Sequence, residues 1–188
     1  MIHSLNVLLT TIGRPELKVR MLPSLVNQLN SNDYLTIISD ANHKYVGECI
    51  QEFKFKCTVI HIMNPTTLGA WGHNSRNAYQ NRIVGDYIMN ADDDDRYVDG
   101  AFDKIREVVK ERKLYLFKHQ NKNNFAWSTP NIITIGNVGT SCGVIPNTGN
   151  LPKWEDFYGG DGRFYENLSR MLPTEFVDFV IYKVNDTE

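Results

Sequence analysis

The sequence predicts a single α/β domain with a mainly parallel central sheet flanked by helices. Three observations carry that expectation. Short apolar runs at 5–11, 34–39, 57–63 and 85–91 alternate with helical periodicity, the pattern of successive βαβ units. The 188 residues fall within the usual size of one domain, and no linker or internal repeat interrupts them. Polar residues stand just past three of the runs: Thr10-Thr11, Asp40, and Asp92 to Asp95. Ligands of open α/β sheets bind beyond the carboxyl ends of the strands, so three such positions converge on one edge.

Residues 5–11 are apolar and end in two β-branched threonines, which reads as a buried strand. Gly13-Arg14-Pro15 turns the chain, and Pro15 suits the first turn of a helix. Leu17, Met21, Leu25 and Leu29 then recur at four-residue spacing, with Pro23 expected to kink or split that helix. A strand over 34–39, a helix over 45–53 and a strand over 57–63 follow. Gly69 and Gly72 open a loop, and 74–83 looks helical. After the fourth strand, 99–113 reads as a helix capped by Asp99, with Phe102, Ile105, Val108 and Val109 inward.

The character changes after Lys113. Residues 114–119 form a strand, 125–135 resemble a hairpin, and 137–150 form a loop rich in Gly, Ser, Thr and Asn. Loops of that kind carry function more often than fold. A second polar loop, 156–162, precedes a short helix marked by Phe164, Leu168 and Leu172, and 175–184 is a terminal strand. The expected division is a nucleotide-binding half, 1–113, and an acceptor half, 114–188, in one domain.

Composition excludes several classes. Net charge is −2, which gives no electrostatic footprint for nucleic acid or an anionic membrane. No apolar run approaches the ~20 residues that span a bilayer. Cys49, Cys57 and Cys142 show no Cys-x-x-Cys spacing, and the N-terminus reads as a strand, so a cytoplasmic protein with reduced thiols is expected.

The chain is organised around 85–96, GDYIMNADDDDR. A buried strand there delivers four adjacent carboxylates to a sheet edge. Hard oxygen ligands at that place suit Mg²⁺ or Mn²⁺, which bind one or two carboxylates plus substrate phosphates. The four charges repel one another, and a divalent cation is the simplest compensation. The spacing does not fit a calcium EF-hand loop, because Arg96 and Tyr97 stand where ligands and glycine are needed.

Taken together, the order of motifs resembles a GT-A (Rossmann-like) glycosyltransferase of the family 2 type. That order is strand-Thr-x-x-x-Arg-Pro, strand-Asp, a Gly-rich loop into Arg76-Asn77, Gly85-Asp-Tyr-Ile, the Asp92-x-Asp94-Asp95 (DXD) motif, and a late Gly159-Gly160-Asp161. The resemblance covers about residues 5 to 170. It implies a UDP- or GDP-type nucleotide-sugar donor, a Mn²⁺ or Mg²⁺ cofactor, and a carbohydrate or other hydroxyl acceptor. Thr11 would line the nucleotide site and Asp40 would hydrogen-bond the base. Arg76 lies in the segment approaching the donor. Asp92 would contact ribose or sugar, Asp93 belongs to the same donor-binding run, and Asp95 supports the run or touches the sugar. Asp94 would bind the metal. Asp161 matches the catalytic base, in a place where the family often has Glu-Asp and this chain has Gly160-Asp161. A base opposite the leaving group points to inversion.

Other residues have plainer expectations. Trp71 and Trp154 more often pack than bind sugar, although Trp154, beside the second polar loop, is a candidate acceptor wall; His73 reads as a loop histidine. Two alternative functions stand beside the transferase. A sugar-phosphate nucleotidyltransferase would need a glycine-rich phosphate loop after the first strand, and Thr10 to Pro15 has one glycine and no lysine. A non-catalytic nucleotide-sugar-binding module would have lost the metal aspartate or the base, and both positions are Asp here.

Overall fold

A computed structural model describes residues 3–121 and 132–184. The hairpin expected over 125–135 lies largely outside them. Strand β1 is Leu5–Thr11, β2 Tyr34–Ser39, β3 Thr58–Met63 and β4 Tyr87–Asp92. A two-residue β5, Arg96–Tyr97, follows, then β6 Leu114–Gln120, β7 Gly143–Pro146 and β8 Thr174–Lys183. All eight form one sheet in the order β3-β2-β1-β4-β7-β6-β8-β5. Four neighbouring pairs are parallel (β1 with β2 and β4, β2 with β3, β6 with β8) and three are antiparallel. The expectation of a mainly parallel sheet therefore holds.

The helices are α1 Leu22–Val26, α2 His43–Gln51, α3 His73–Tyr79, α4 Ala101–Val108 and α5 Gly160–Met171. Pro23 splits its helix as expected. A π-helical turn, Leu17–Met21, precedes it, and the Leu22 N–H reaches back to the Leu17 carbonyl. Pro23 then sits in the first turn of α1, where its missing N–H costs nothing.

Alternation along β1 divides the core. Leu5, Val7 and Leu9 pack with Met21, Leu25, Phe102 and Ile105 on one face. Leu8 packs with Ile88, Phe164, Tyr165 and Leu168 on the other. Both faces of the central strands are covered, which is why those strands read as continuous apolar runs.

Several expectations are corrected. Asp99 does not cap α4; Gly100, at φ 75°, holds that position, and the helix stops at Val109, whose backbone is extended. Part of the stretch read as a loop, 137–150, is the buried strand β7, which joins β4 to β6. The polar loop 156–162 gives way to α5 at Gly160, so Asp161 stands in a first helical turn. Trp154 is not a wall for an acceptor. It is buried, stacked on Phe164 with centroids 3.9 Å apart, and donates its indole N–H to Gln80 Oε1 at 2.9 Å.

Candidate functional site

Strand register builds the site. Thr10 lies opposite Asp92 across β1–β4, and Thr11 opposite Ser39 across β1–β2. Thr11, Asp40 and the acidic run thus end at one level of the sheet. They open onto a cleft of about 480 Å³, lined also by Arg14, Trp71, His73, Tyr158 and Asp161.

The four aspartates divide their work. Asp93 is buried; it accepts the Thr11 hydroxyl at 2.5 Å and pairs with Arg14 at 3.1 Å. Asp95 is also buried. Asp92 and Asp94 each keep 30% of the side chain exposed. Arg14 also reaches Asp94 at 2.8 Å. Burial pushes the Asp94 carboxyl above its usual value; Arg14 opposes this, and Asp92 and Asp93 add to it. From the far side β8 grips the turn, with the Tyr182 hydroxyl 3.0 Å from the Asp92 N.

Asp40 lines the cleft, but its carboxylate is heavily engaged. It accepts hydrogen bonds from the Leu68 and Gly69 N–H groups at 2.8 and 2.9 Å and from Asn64 at 2.7 Å. Burial works to raise its pKa, and these donors outweigh it, leaving the carboxyl below its usual value. Its visible work is anchoring the glycine-rich loop.

Arg76 does not line the cleft. Its guanidinium is fully buried behind it, bonded to Asp92 Oδ1 at 2.6 Å, the Ala91 carbonyl at 3.1 Å and the Trp71 carbonyl at 3.2 Å. Trp154 covers it, 5.2 Å from guanidinium carbon to ring centroid. Arg76 is thus a strut between the loop and the acidic strand end, and not a surface group that meets a ligand.

The loop it holds is strained. Gly69, Ala70, Trp71 and Gly72 all have positive φ, at 67°, 54°, 50° and 82°. At Gly72 a Cβ would lie 2.4 Å from Thr10 Oγ1. Gly72→Ala therefore adds a clash to left-handed strain, and about 2 kcal/mol of stability should be lost. Denaturant unfolding measures it; an unchanged midpoint would mean that the loop does not press on β1.

Asp161 faces the same cleft from α5 and accepts the Gly162 N–H at 2.8 Å. Burial raises its pKa, opposed by the Gly162 hydrogen bond and by His73. His73 is a wall residue, not a loop residue. Its Nδ1 lies 2.8 Å from the Glu155 carbonyl, which can only accept, so Nδ1 carries the proton. Burial lowers the His73 pKa, opposed by the hydrogen bond to the Glu155 carbonyl. The same geometry explains Gly160. A Cβ there would sit 2.4 Å from the Glu155 carbonyl oxygen and 3.1 Å from the His73 ring, so no glutamate fits.

Arg14, Trp71, His73 and Tyr158 line the cleft without having been expected there; Trp71, expected to pack, is 63% exposed. Arg14 lay in the strand-Thr-x-x-x-Arg-Pro motif and was the findable one. His73 opens α3 and Tyr158 stands just before α5, so both reach the cleft only through tertiary packing.

Among the described residues, no group of three or more His, Cys, Asp or Glu is arranged to hold a metal ion. Two part-exposed carboxylates, Asp92 and Asp94, nevertheless fit a cation that takes one or two carboxylates and fills its other positions with phosphate oxygens and water.

No protein-family model matches the chain, and no curated protein matches it. Solved structures do. One is S. aureus TarS 1-349 in complex with UDP-GlcNAc, with TM-score 0.77 and 14% identity over 98% of this chain and 59% of that one. The UDP complex of the same protein gives TM-score 0.75 at 14% identity, covering 96% of this chain and 60% of that one. The mannosyltransferase PcManGT from Pyrobaculum calidifontis, in complex with GDP-Man and Mn²⁺, gives TM-score 0.73 at 9% identity, covering all of this chain and 58% of that one. The fold is that of GT-A glycosyltransferases. The chain spans about three fifths of the length of these three structures. Among the described residues no helix is long and apolar enough to cross a membrane.

Proposed function

We propose that the protein transfers a sugar from a nucleoside-diphosphate sugar, of UDP or GDP type, to a hydroxyl acceptor, with inversion. The observation that carries this reading is one cleft holding two kinds of carboxylate. Asp92 and Asp94 stand at the strand ends, and Asp161, with a raised pKa, enters from α5. The complexes of similar fold with UDP-GlcNAc and GDP-Man support it.

The electrostatics support a metal. Among the described lining residues Arg14 is the one lysine or arginine, and it is already bonded to Asp93 and Asp94. A diphosphate entering beside four aspartates meets strong repulsion unless a divalent cation comes with it. Asp94, with Asp92 beside it, would hold that cation. When bound, it offsets the negative charge of the leaving diphosphate, typically for several kcal/mol.

The chain's own residues do the rest. Thr11 and Asp40 border the nucleotide end of the cleft, and Arg76 fixes Asp92 from behind. Asp161 takes the acceptor hydroxyl's proton as that oxygen attacks the anomeric carbon. The bond from the anomeric carbon to the diphosphate oxygen breaks, and its electron pair leaves with the diphosphate. Residues 1–113 supply the donor side and 114–188 the acceptor side.

Calorimetry with UDP and GDP, with and without Mn²⁺, followed by donor hydrolysis, tests the reading. Metal-dependent binding with slow hydrolysis is expected; binding without hydrolysis favours a non-catalytic module. Asp94→Asn should remove the metal-dependent part of that affinity without lowering the melting temperature, because burial and the neighbouring aspartates already disfavour the charged carboxyl. Unchanged affinity in the variant would take Asp94 out of the metal site.

A further inference from the structure

Two large aromatic side chains stand unusually open at the cleft mouth. Trp71 is 63% exposed and Tyr158 88% exposed, and both line the cleft. Large exposed apolar surface inside a concave site marks contact with a ligand. Their rings meet at a corner, with centroids 6.4 Å apart and planes at 76°.

The backbone beneath Trp71 is costly. Trp71 and Ala70 are both left-handed without being glycine. Such strain persists only where surroundings over-determine it, and it clusters at ligand sites. Here Arg76 binds the Trp71 carbonyl, and Gly72 runs so close to Thr10 that a Cβ would not fit. The Trp71 peptide is therefore fixed by the strut that also fixes Asp92. On the other side, Tyr158 lies three residues before Asp161, and the Trp71 ring is 6.3 Å from His73, which interacts electrostatically with Asp161.

We propose that Trp71, which meets Tyr158 at the cleft mouth from the donor half, forms the acceptor platform with it, and that the acceptor presents a pyranose ring. This deepens the glycosyltransferase reading and rests on it. A pyranose has an apolar C–H face, which lies on an aromatic ring, and a rim of hydroxyls. One ring takes the flat face, the other closes the corner, and a rim hydroxyl is turned toward Asp161. An open-chain polyol has the same hydroxyls without a flat face, so it gains nothing from the platform.

The test uses the full chain, Trp71→Gly and Tyr158→Ala. Glycine accepts the left-handed backbone, and both rings are mostly solvent-exposed, so neither variant should melt lower than the parent. Saturation-transfer NMR with methyl glucoside, methyl mannoside and methyl N-acetylglucosaminide, beside sorbitol, reports pyranose binding, with and without UDP and Mn²⁺. The expected result is binding of at least one pyranoside by the parent, weakened about tenfold in each variant, the upper end of what one stacked ring contributes. Sorbitol should not bind in any of the three. UDP and GDP affinities should stay within about threefold of the parent in both variants. Equal pyranoside binding in parent and variants, or none in the parent, overturns the proposal. So does a nucleotide affinity that falls as far as the pyranoside affinity, which would assign the rings to the donor base. A parent that binds neither UDP nor GDP sinks the donor reading instead, and the nucleotide-free pyranoside arm still decides the platform.

Discussion

Asp161→Asn should slow transfer by about 10²-fold or more, the loss expected for a general base, while donor affinity stays near the parental value. Asparagine keeps the size and can still accept the Gly162 N–H, but it takes no proton. Single-turnover rates and UDP calorimetry on parent and variant read the two effects separately. A variant that transfers at the parental rate removes Asp161 from the chemistry. The pH behaviour gives a second check. Burial raises the Asp161 pKa above the ordinary 3.8, and the base works only when ionised. Activity in the parent should therefore rise with pH through a limb above the usual aspartate range, and the variant should lack it.

Stability runs the other way. A carboxyl whose folded pKa is raised contributes stability below its unfolded pKa, and that contribution is lost as pH rises through the folded pKa. Above its folded pKa the ionised Asp161 thus costs stability, and there Asp161→Asn should melt higher than the parent. At pH values below the unfolded pKa the difference should vanish. Such a trade of stability for activity is what a working base in a half-buried site implies.

Arg76→Met should destabilise the protein by about 3 kcal/mol, the lower end for breaking a buried pair, because Asp92 stays part-exposed. At roughly 2–4 °C per kcal/mol for a chain of this size, the melting temperature falls by roughly 6–12 °C. Three acceptors lose their donor at once: the Asp92 carboxylate and the Ala91 and Trp71 carbonyls. Arg76→Lys should not restore the parent, since one ammonium cannot span the fork that a planar guanidinium spans. Adding Asp92→Asn to Arg76→Met should recover part of the loss by removing the stranded charge, a coupling a double-mutant cycle measures. Additive losses would mean that the Arg76–Asp92 contact carries little energy.

Residue pattern alone specifies the parallel half of this protein. β1, β2 and β4 carry apolar runs because both faces of the sheet are covered there, so local pattern and tertiary role coincide. The ends of those runs name Thr11, Asp40 and Asp92 to Asp95 without any knowledge of packing. Pro23 likewise announced the break in its helix, because its missing N–H is a property of the residue alone. Packing sets the rest. β7 is four residues long and takes its identity from pairing with β4 and β6, which no periodicity within 137–150 reveals. α5 begins in a run of glycines that propensity reads as a loop, because the Glu155 carbonyl and the His73 ring leave room for no side chain at 160. Burial turned Arg76 from a group facing a ligand into a strut, and it separated four identical aspartates into two buried ones and two part-exposed ones. Adjacent residues of one type look alike in a sequence; their exposure, and hence their chemistry, is set by what the fold packs against each one.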